Sequence, residues 1–391
     1  MISPTNNSAL KPGDVIYVRG GKYVEEDDED MLIHFRGGSG LSSQPFAVAG
    51  FPGESAILDL GQTSRGAFYP ETNSLDHWVI SKLHFVNGGA AIGLKGTDLR
   101  VIGCTFSKMN REAWTGMIMV DTSQDVKILG NFFDHCGYDM YLHQIYIKTH
   151  DAAGFGTRQQ AERVDVGWNE FDSWTSDLNP AAQTKPSRGG AIEIQTESTA
   201  YRKGKLTNQI QIHDNYFHDG DSHALYIAES KDLVVFNNIF SKIQSRNGGV
   251  HLAMGDERRE ILFLNNTFYL SAASSGPLFY VMSQSAARLE NNILVGAQGQ
   301  PFVRLDGQVG FRSDHDLYTG GQMPGGERVD VRNPVQGDPQ FRRPGRDYRL
   351  LPSSPAIDSG TAEVERWVKS DVDGVRRPLG KGFDIGAYES Q

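Results

Sequence analysis

The chain has 391 residues, 38% of them hydrophobic and 22% charged, with a formal net charge of −10. That acidity argues against non-specific nucleic-acid binding, and no apolar run approaches the roughly 20 residues of a membrane span. Two cysteines, Cys104 and Cys136, make neither a disulfide framework nor a C-x-x-C metal site, and they read as small buried side chains.

Met1–Pro12 is polar and lacks the apolar stretch of a signal peptide, so the natural N-terminus is expected to have been trimmed. Strand-like sequence starts at Asp14-Val-Ile-Tyr-Val-Arg19. A repeat follows. Val101-Ile-Gly-Cys-Thr-Phe106, Ile128-Leu-Gly-Asn-Phe-Phe133, Val166-Gly-Trp-Asn-Glu-Phe171, Ile212-His-Asp-Asn-Tyr-Phe217, Val235-Phe-Asn-Asn-Ile-Phe240, Phe263-Leu-Asn-Asn-Thr-Phe268 and Leu289-Glu-Asn-Asn-Ile-Leu294 share one ending. Asparagine recurs at 131, 169, 215, 238, 266 and 292, and an aromatic or Leu294 follows two residues later. Asparagines at one position of successive coils can pass amide hydrogen bonds along the stack, and they tolerate the left-handed backbone of a sharp corner. The residue two positions on returns to the same face, so stacked rings fill the bore.

Upstream of each ending lies a second strand: Met117–Val120, Gln144–Ile147, Ala191–Ile194, Ala224–Ile227, Gly249–Leu252 and Pro277–Val281. Short strands without helical periodicity between them predict an all-β solenoid, a right-handed parallel β-helix, rather than βαβ units. The spacings of the asparagines, 38, 46, 23, 28 and 26 residues, place insertions in two consecutive coils, near 151–162, 172–188 and 197–208. Long loops on a solenoid are usually functional. Residues 1–391 are read as one domain, with coils over about 14–320 and an irregular coil and cap over 321–391.

Leu10-Lys-Pro-Gly-Asp-Val-Ile-Tyr-Val-Arg-Gly-Gly-Lys-Tyr23, Gln44–Glu54 and the closing Pro352-Ser-Ser-Pro-Ala-Ile-Asp-Ser-Gly360 with Asp384-Ile-Gly-Ala-Tyr-Glu389 carry a resemblance. The chain resembles the pectate-lyase-like superfamily of bacterial carbohydrate-active β-helix proteins, over nearly its whole length. The resemblance implies a polysaccharide partner, a secreted or periplasmic location, and a substrate groove on the outer face of the first sheet. No coiled-coil segment of the kind that trimerises some relatives is present, so a monomer is expected.

Register then names the groove residues. With Ile145 and Ile147 inward, one outward row reads Met119, Tyr146, Glu193, Tyr226, His251, Tyr280, and the next reads Asp121, Lys148, Gln195, Ala228, Ala253. Lys148 is expected within reach of Asp121 and Glu193. His143 and His223 sit at corners beside the row, Arg188 ends the longest insertion and can clamp a carboxylate, and Trp174 offers a flat face to a sugar. Three readings follow. The first is a polysaccharide lyase that performs β-elimination on a uronic acid, with Lys148 as neutraliser or base, His251 or Tyr226 as base or acid, and Tyr146, Arg188, His143, His223, Trp174 and Tyr280 holding substrate. The second is a glycoside hydrolase that pairs Glu193 with Asp121, with Glu197 and Glu229 as further carboxylates. The third is a non-catalytic carbohydrate-binding solenoid. Calcium is an open cofactor: His218-Asp-Gly-Asp221 offers oxygens, although an Asp-Gly corner explains the same residues.

Overall fold

Side-chain alternation and the Asn–x–Phe endings wind this chain into a right-handed parallel β-helix. The structure is a computed structural model that describes residues 10–24, 33–35, 38–61, 66–70, 75–111, 116–138, 141–151, 160–175, 189–244, 248–270, 276–307 and 310–390. The chain divides into two compact units, residues 1–210 and 211–391.

In the first unit each coil contributes three strands, and equivalent strands pair in parallel into three ladders. The coil starting at Gly116 shows the plan: Gly116–Asp121 belongs to the first ladder, Gln124–Leu129 to the second and Phe132–Asp134 to the third. Phe85, Phe106, Phe133 and Phe171 stack down the bore with centroids 5.0, 4.7 and 4.9 Å apart and nearly coplanar rings. Asn131 donates both its backbone N–H and its Nδ2 to Asn169 Oδ1 at 2.9 Å. Each buried amide is satisfied by the coil that follows, which is why this position repeats.

The second unit repeats the plan. Asn215, Asn238 and Asn266 each donate two N–H groups to the next asparagine at 2.9–3.0 Å. Phe217, Phe240 and Phe268 stack at 4.7 and 4.6 Å. Coils continue past the expected limit of 320, through Val329–Arg332 and Val335–Gln336.

The left-handed corner falls one residue earlier than the sequence reading puts it. Gly103, Gly130, Trp168, Asp214, Asn237, Asn265, Asn291 and His315 have φ between +52° and +63°, and the ladder asparagine follows each of the six from Gly130 to Asn291. In the doubled Asn-Asn endings of the second unit, the first residue makes the corner and the second makes the ladder. The first also holds the C-terminal segment. Asn237 Nδ2 donates to Ser370 O at 2.7 Å, Asn265 Nδ2 to Asp384 O at 2.8 Å, and Asn291 Nδ2 to Thr361 O at 2.9 Å. The tail, expected as a terminal cap, runs back along the flank of this unit's coils. Phe341, Tyr348, Leu350, Ala356, Ile385 and Ala387 cover Ile239, Ile293 and Leu317, while Val364, Val368 and Phe383 cover Val234, Phe236 and Leu264. Those outward apolar side chains would otherwise face water.

The last rung of the second unit's ladder is Asp316, which sequence reading missed because His315-Asp-Leu-Tyr318 breaks the motif. Asp316 Oδ1 accepts from Asn292 N at 2.6 Å and Nδ2 at 2.8 Å, and Oδ2 accepts from Ser313 at 2.6 Å. Burial pushes its carboxyl from 3.8 up to about 7. A raised folded-state value contributes stability that is complete below the unfolded value and is lost as pH rises through the folded one, at about 1.4 kcal/mol per unit. Melting scans from pH 4 to 8 should therefore fall for the native chain and fall less for Asp316→Asn, which keeps the ladder acceptor. Parallel curves would refute this assignment.

Candidate functional site

Three first-ladder strands of unit 1 build one face: Gly116–Asp121, His143–Thr149 and Ile192–Thr196. Ile118, Ile145 and Ile192 pair in register and fill the bore, as do Val120, Ile147 and Ile194. The alternate positions give the two outward rows expected from the sequence, Met119–Tyr146–Glu193 and Asp121–Lys148–Gln195.

The partners of Lys148 differ from expectation. Its Nζ lies 3.1 Å from Glu197 Oε1, and His150 Nε2 lies 3.3 Å from Glu197 Oε2. Glu197 sits at the N-cap of the short helix Ser198–Arg202 but makes no side-chain capping bond, so its carboxylate is spent on these two groups. Asp121 is in register with Lys148, yet its carboxylate accepts from Thr122 Oγ1 at 3.1 Å. The Lys148 ammonium stands 5.8 Å from the Tyr146 ring centroid, within cation–π range. Gln195 Nε2 donates to the Tyr146 hydroxyl. Burial, and then the charge of Glu193, raises the Tyr146 phenol well above its usual value, so it stays protonated.

His143, read as a corner residue, is buried and pairs with Glu193 at 2.8 Å. Its Nδ1 accepts the Gly190 N–H at 3.3 Å. With Nδ1 accepting, Nε2 is left to donate to the Glu193 carboxylate. Both nitrogens are thus committed, and His143 orients Glu193 rather than meeting substrate.

The insertion at 197–208 is anchored to the preceding coil. Lys205 Nζ lies 2.7 Å from Asp151 Oδ1, Lys203 binds the same carboxylate, and Thr149, Thr196 and Thr207 join their hydroxyls. Of the other two insertions, 152–159 and 176–188 lie outside the described residues, and Arg188 with them. Trp174 is only 2% exposed. This corrects its expected role, since a buried indole offers no face to a sugar.

Unit 2 carries the outward residues Tyr226–His251–Tyr280 that register predicts on the first ladder, and the structure extends this row to Arg304. Neighbouring rings lie 4.8 Å (Tyr226–His251) and 4.9 Å (His251–Tyr280) apart, and the Arg304 guanidinium covers Tyr280 at 5.0 Å. Tyr280 donates to Asp306 Oδ2 at 3.0 Å. His223 is buried beneath the row, edge-on to His251 at 5.8 Å, which makes it a support for that ring.

Sequence reasoning missed His150 and the role of Glu197. Alternation puts residues 146, 148 and 150 on one face, so extending the strand reading by one residue would have found His150. Nothing local ties Glu197 to it, because that contact spans two coils.

Among the described residues, the carboxylates of the unit 1 face are already partnered. A calcium ion takes roughly six to eight oxygens, and here Asp121, Glu193 and Glu197 bind Thr122, His143, and Lys148 with His150. Elsewhere in this unit Asp134, His135 and Asp172 bring three ligand atoms within 4.8 Å of one another.

No family model matches the chain, and no curated protein matches it. Solved structures do. The PL6 family alginate lyase AlyGC aligns with a TM-score of 0.58 at 16% identity, over 97% of this chain and 55% of that one. Pectate lyase Pel9A aligns with a TM-score of 0.54 at 11% identity, over 98% and 89%. PfbA, a surface adhesin of Streptococcus pneumoniae, aligns with a TM-score of 0.50 at 12% identity, over 82% and 81%. The resemblance read from the sequence is shown at the level of fold. Among the described residues no helix is long and apolar enough to cross a membrane.

Proposed function

We propose that the protein is a polysaccharide lyase that cleaves a uronic-acid-containing glycan by β-elimination on the unit 1 face. The observation that carries this reading is Glu197, whose two oxygens hold a lysine and a histidine side by side next to a protonated tyrosine. Elimination needs a cation on the substrate carboxylate, a base for the C5 proton and an acid for the C4 oxygen. Lys148 is the cation: it offsets the negative charge that builds on the carboxylate as C5 loses its proton, where electrostatic stabilisation contributes most. His150, oriented by Glu197, takes the proton. The electron pair forms the C4–C5 double bond, the C4–O bond breaks, and Tyr146 gives its proton to the departing oxygen. Burial first, and then the charge of Glu193, which His143 holds, raise the phenol above its usual value. In unit 2 the row of Tyr226, His251 and Tyr280 supplies ring faces suited to sugars.

The test is incubation with polygalacturonate, alginate and a neutral β-glucan, with and without chelator, reading ultraviolet absorbance and new reducing ends together. Both signals should rise on a uronate polymer and survive the chelator. Reducing ends without absorbance would establish hydrolysis instead, and binding without either signal would establish a non-catalytic solenoid.

A further inference from the structure

The tail of unit 2 does more than cover the coils. The antiparallel hairpin of Phe341–Arg343 and Asp347–Leu350 and the segments around Asp371 and Tyr388 surround a cavity of about 500 Å³. That lies within the roughly 300–1,000 Å³ of small-molecule sites. Pro352 and Ile357 give the cavity an apolar side, and carboxylates and arginines line the rest. The carboxylates are fixed by the backbone. Asp371 Oδ1 accepts from Asp373 N at 2.9 Å and Val375 N at 2.8 Å, and its Oδ2 accepts from Glu389 N at 2.9 Å. Asp384 accepts from Asp358 N at 2.7 Å and Ser390 N at 2.6 Å. Such acceptors lose no rotamer freedom when a ligand arrives. Two donors on the lining are open: the Arg342 guanidinium and the Tyr388 hydroxyl have no hydrogen-bond partner among the described residues.

Charge and spacing narrow the ligand. Arg349 binds Asp373 at 2.7 Å and covers the Tyr388 ring at 5.0 Å. The buried Arg377 binds Glu389 at 3.0 Å. That leaves Asp358, Asp371 and Asp384 against Arg342 on the lining, an excess of negative charge that disfavours a uronate or a phosphate. A metal ion fits no better. Among the described residues, the groups of three or more ligating side chains with ligand atoms within 4.8 Å of one another lie elsewhere. The carboxylates are spread over the walls, where they suit a larger ligand with several donors. A purely cationic ligand would leave Arg342 opposed and the Tyr388 hydroxyl without an acceptor. A neutral pyranose meets every demand. Its hydroxyls donate to the carboxylates and accept from Arg342 and Tyr388, and its C–H face lies against Pro352 and Ile357.

We propose that the tail cavity of unit 2 binds a neutral saccharide without cleaving it. The sugar class rests on the glycan reading given above, so binding and elimination are measured separately on the full chain. Calorimetry follows binding of cellotriose, xylotriose, mannotriose and maltotriose, with trigalacturonate as the acidic counterpart. Arg342→Ala and Tyr388→Phe each remove one open donor and no hydrogen bond of the fold, which thermal melting checks. Binding of at least one neutral trisaccharide should weaken on the order of tenfold in Arg342→Ala and about threefold in Tyr388→Phe, as for one charged and one neutral hydrogen bond. Arg346→Ala, on the same hairpin but off the lining, should leave it unchanged. Elimination on a uronate polymer should be the same in all three variants. Neutral-sugar binding that is equal in every form would overturn this site and leave the lyase reading standing. So would no neutral-sugar binding while elimination proceeds. Trigalacturonate binding that Arg342→Ala abolishes would overturn the ligand class and the proposal with it. Neither binding nor elimination would overturn both readings.

Discussion

Lys148→Ala is expected to lower the rate of β-elimination on the order of 10²–10³-fold, the usual loss when one charge-stabilising group is removed from an active site. The loss should fall mainly on kcat, because the ammonium is needed most when the carboxylate gathers charge in the transition state. The side chain is held by Glu197 and borders the Tyr146 ring, so truncation removes a charge from a face whose isoleucine core is untouched. Glu193→Gln is the informative partner. In a lyase it removes the charge that helps hold Tyr146 protonated but leaves the lysine, so activity should drop less. In a hydrolase that uses Glu193 as one of its two carboxylates, Glu193→Gln should abolish turnover and Lys148→Ala should matter little. Steady-state kinetics on one substrate with both variants decides between them.

Arg377→Ala is expected to destabilise the second unit by about 3–5 kcal/mol, the cost of leaving a buried charge without its partner. The Arg377 and Glu389 side chains are both fully buried and lie 3.0 Å apart. The guanidinium also donates to the carbonyls of Asp384 and Gly386, at 3.0 and 2.7 Å. Glu389 in turn accepts from Leu379 N at 2.9 Å. One arginine therefore gathers the end of the tail that covers the Ile239, Ile293 and Leu317 flank. Urea unfolding should show a lower midpoint, and proteolysis should nick the tail first. Burial already raises the Glu389 carboxyl. Without arginine it should rise further, so the defect should be larger at pH 7 than at pH 4. A midpoint within experimental error of the native chain would refute the role.

The doubled asparagines show how far sequence reading reached. Asn238, Asn266 and Asn292 announce the ladder because a stack of amides requires one residue type at one position. The residues before them carry no such signal, since their partners, Ser370, Asp384 and Thr361, lie 70–133 residues away. The candidate site divides in the same way. Strand alternation placed Tyr146, Lys148 and Glu193 on one face, and parallel register then aligned them with Met119, Asp121 and Gln195. It could not tell that Lys148 turns to Glu197, that His143 is committed at both nitrogens, or that Trp174 is packed inside.

By itself, then, the sequence determined the coil. Period-two alternation sets which side chains fill the bore, and the recurring Asn–x–Phe sets the phase of each turn, because both are local rules repeated many times. Only the tertiary structure decided what each outward residue does. An outward side chain chooses among partners supplied by other coils and by the tail, and those choices depend on distances that no local rule encodes. Glu197 between Lys148 and His150, and Asp316 at the end of the ladder, are two such outcomes.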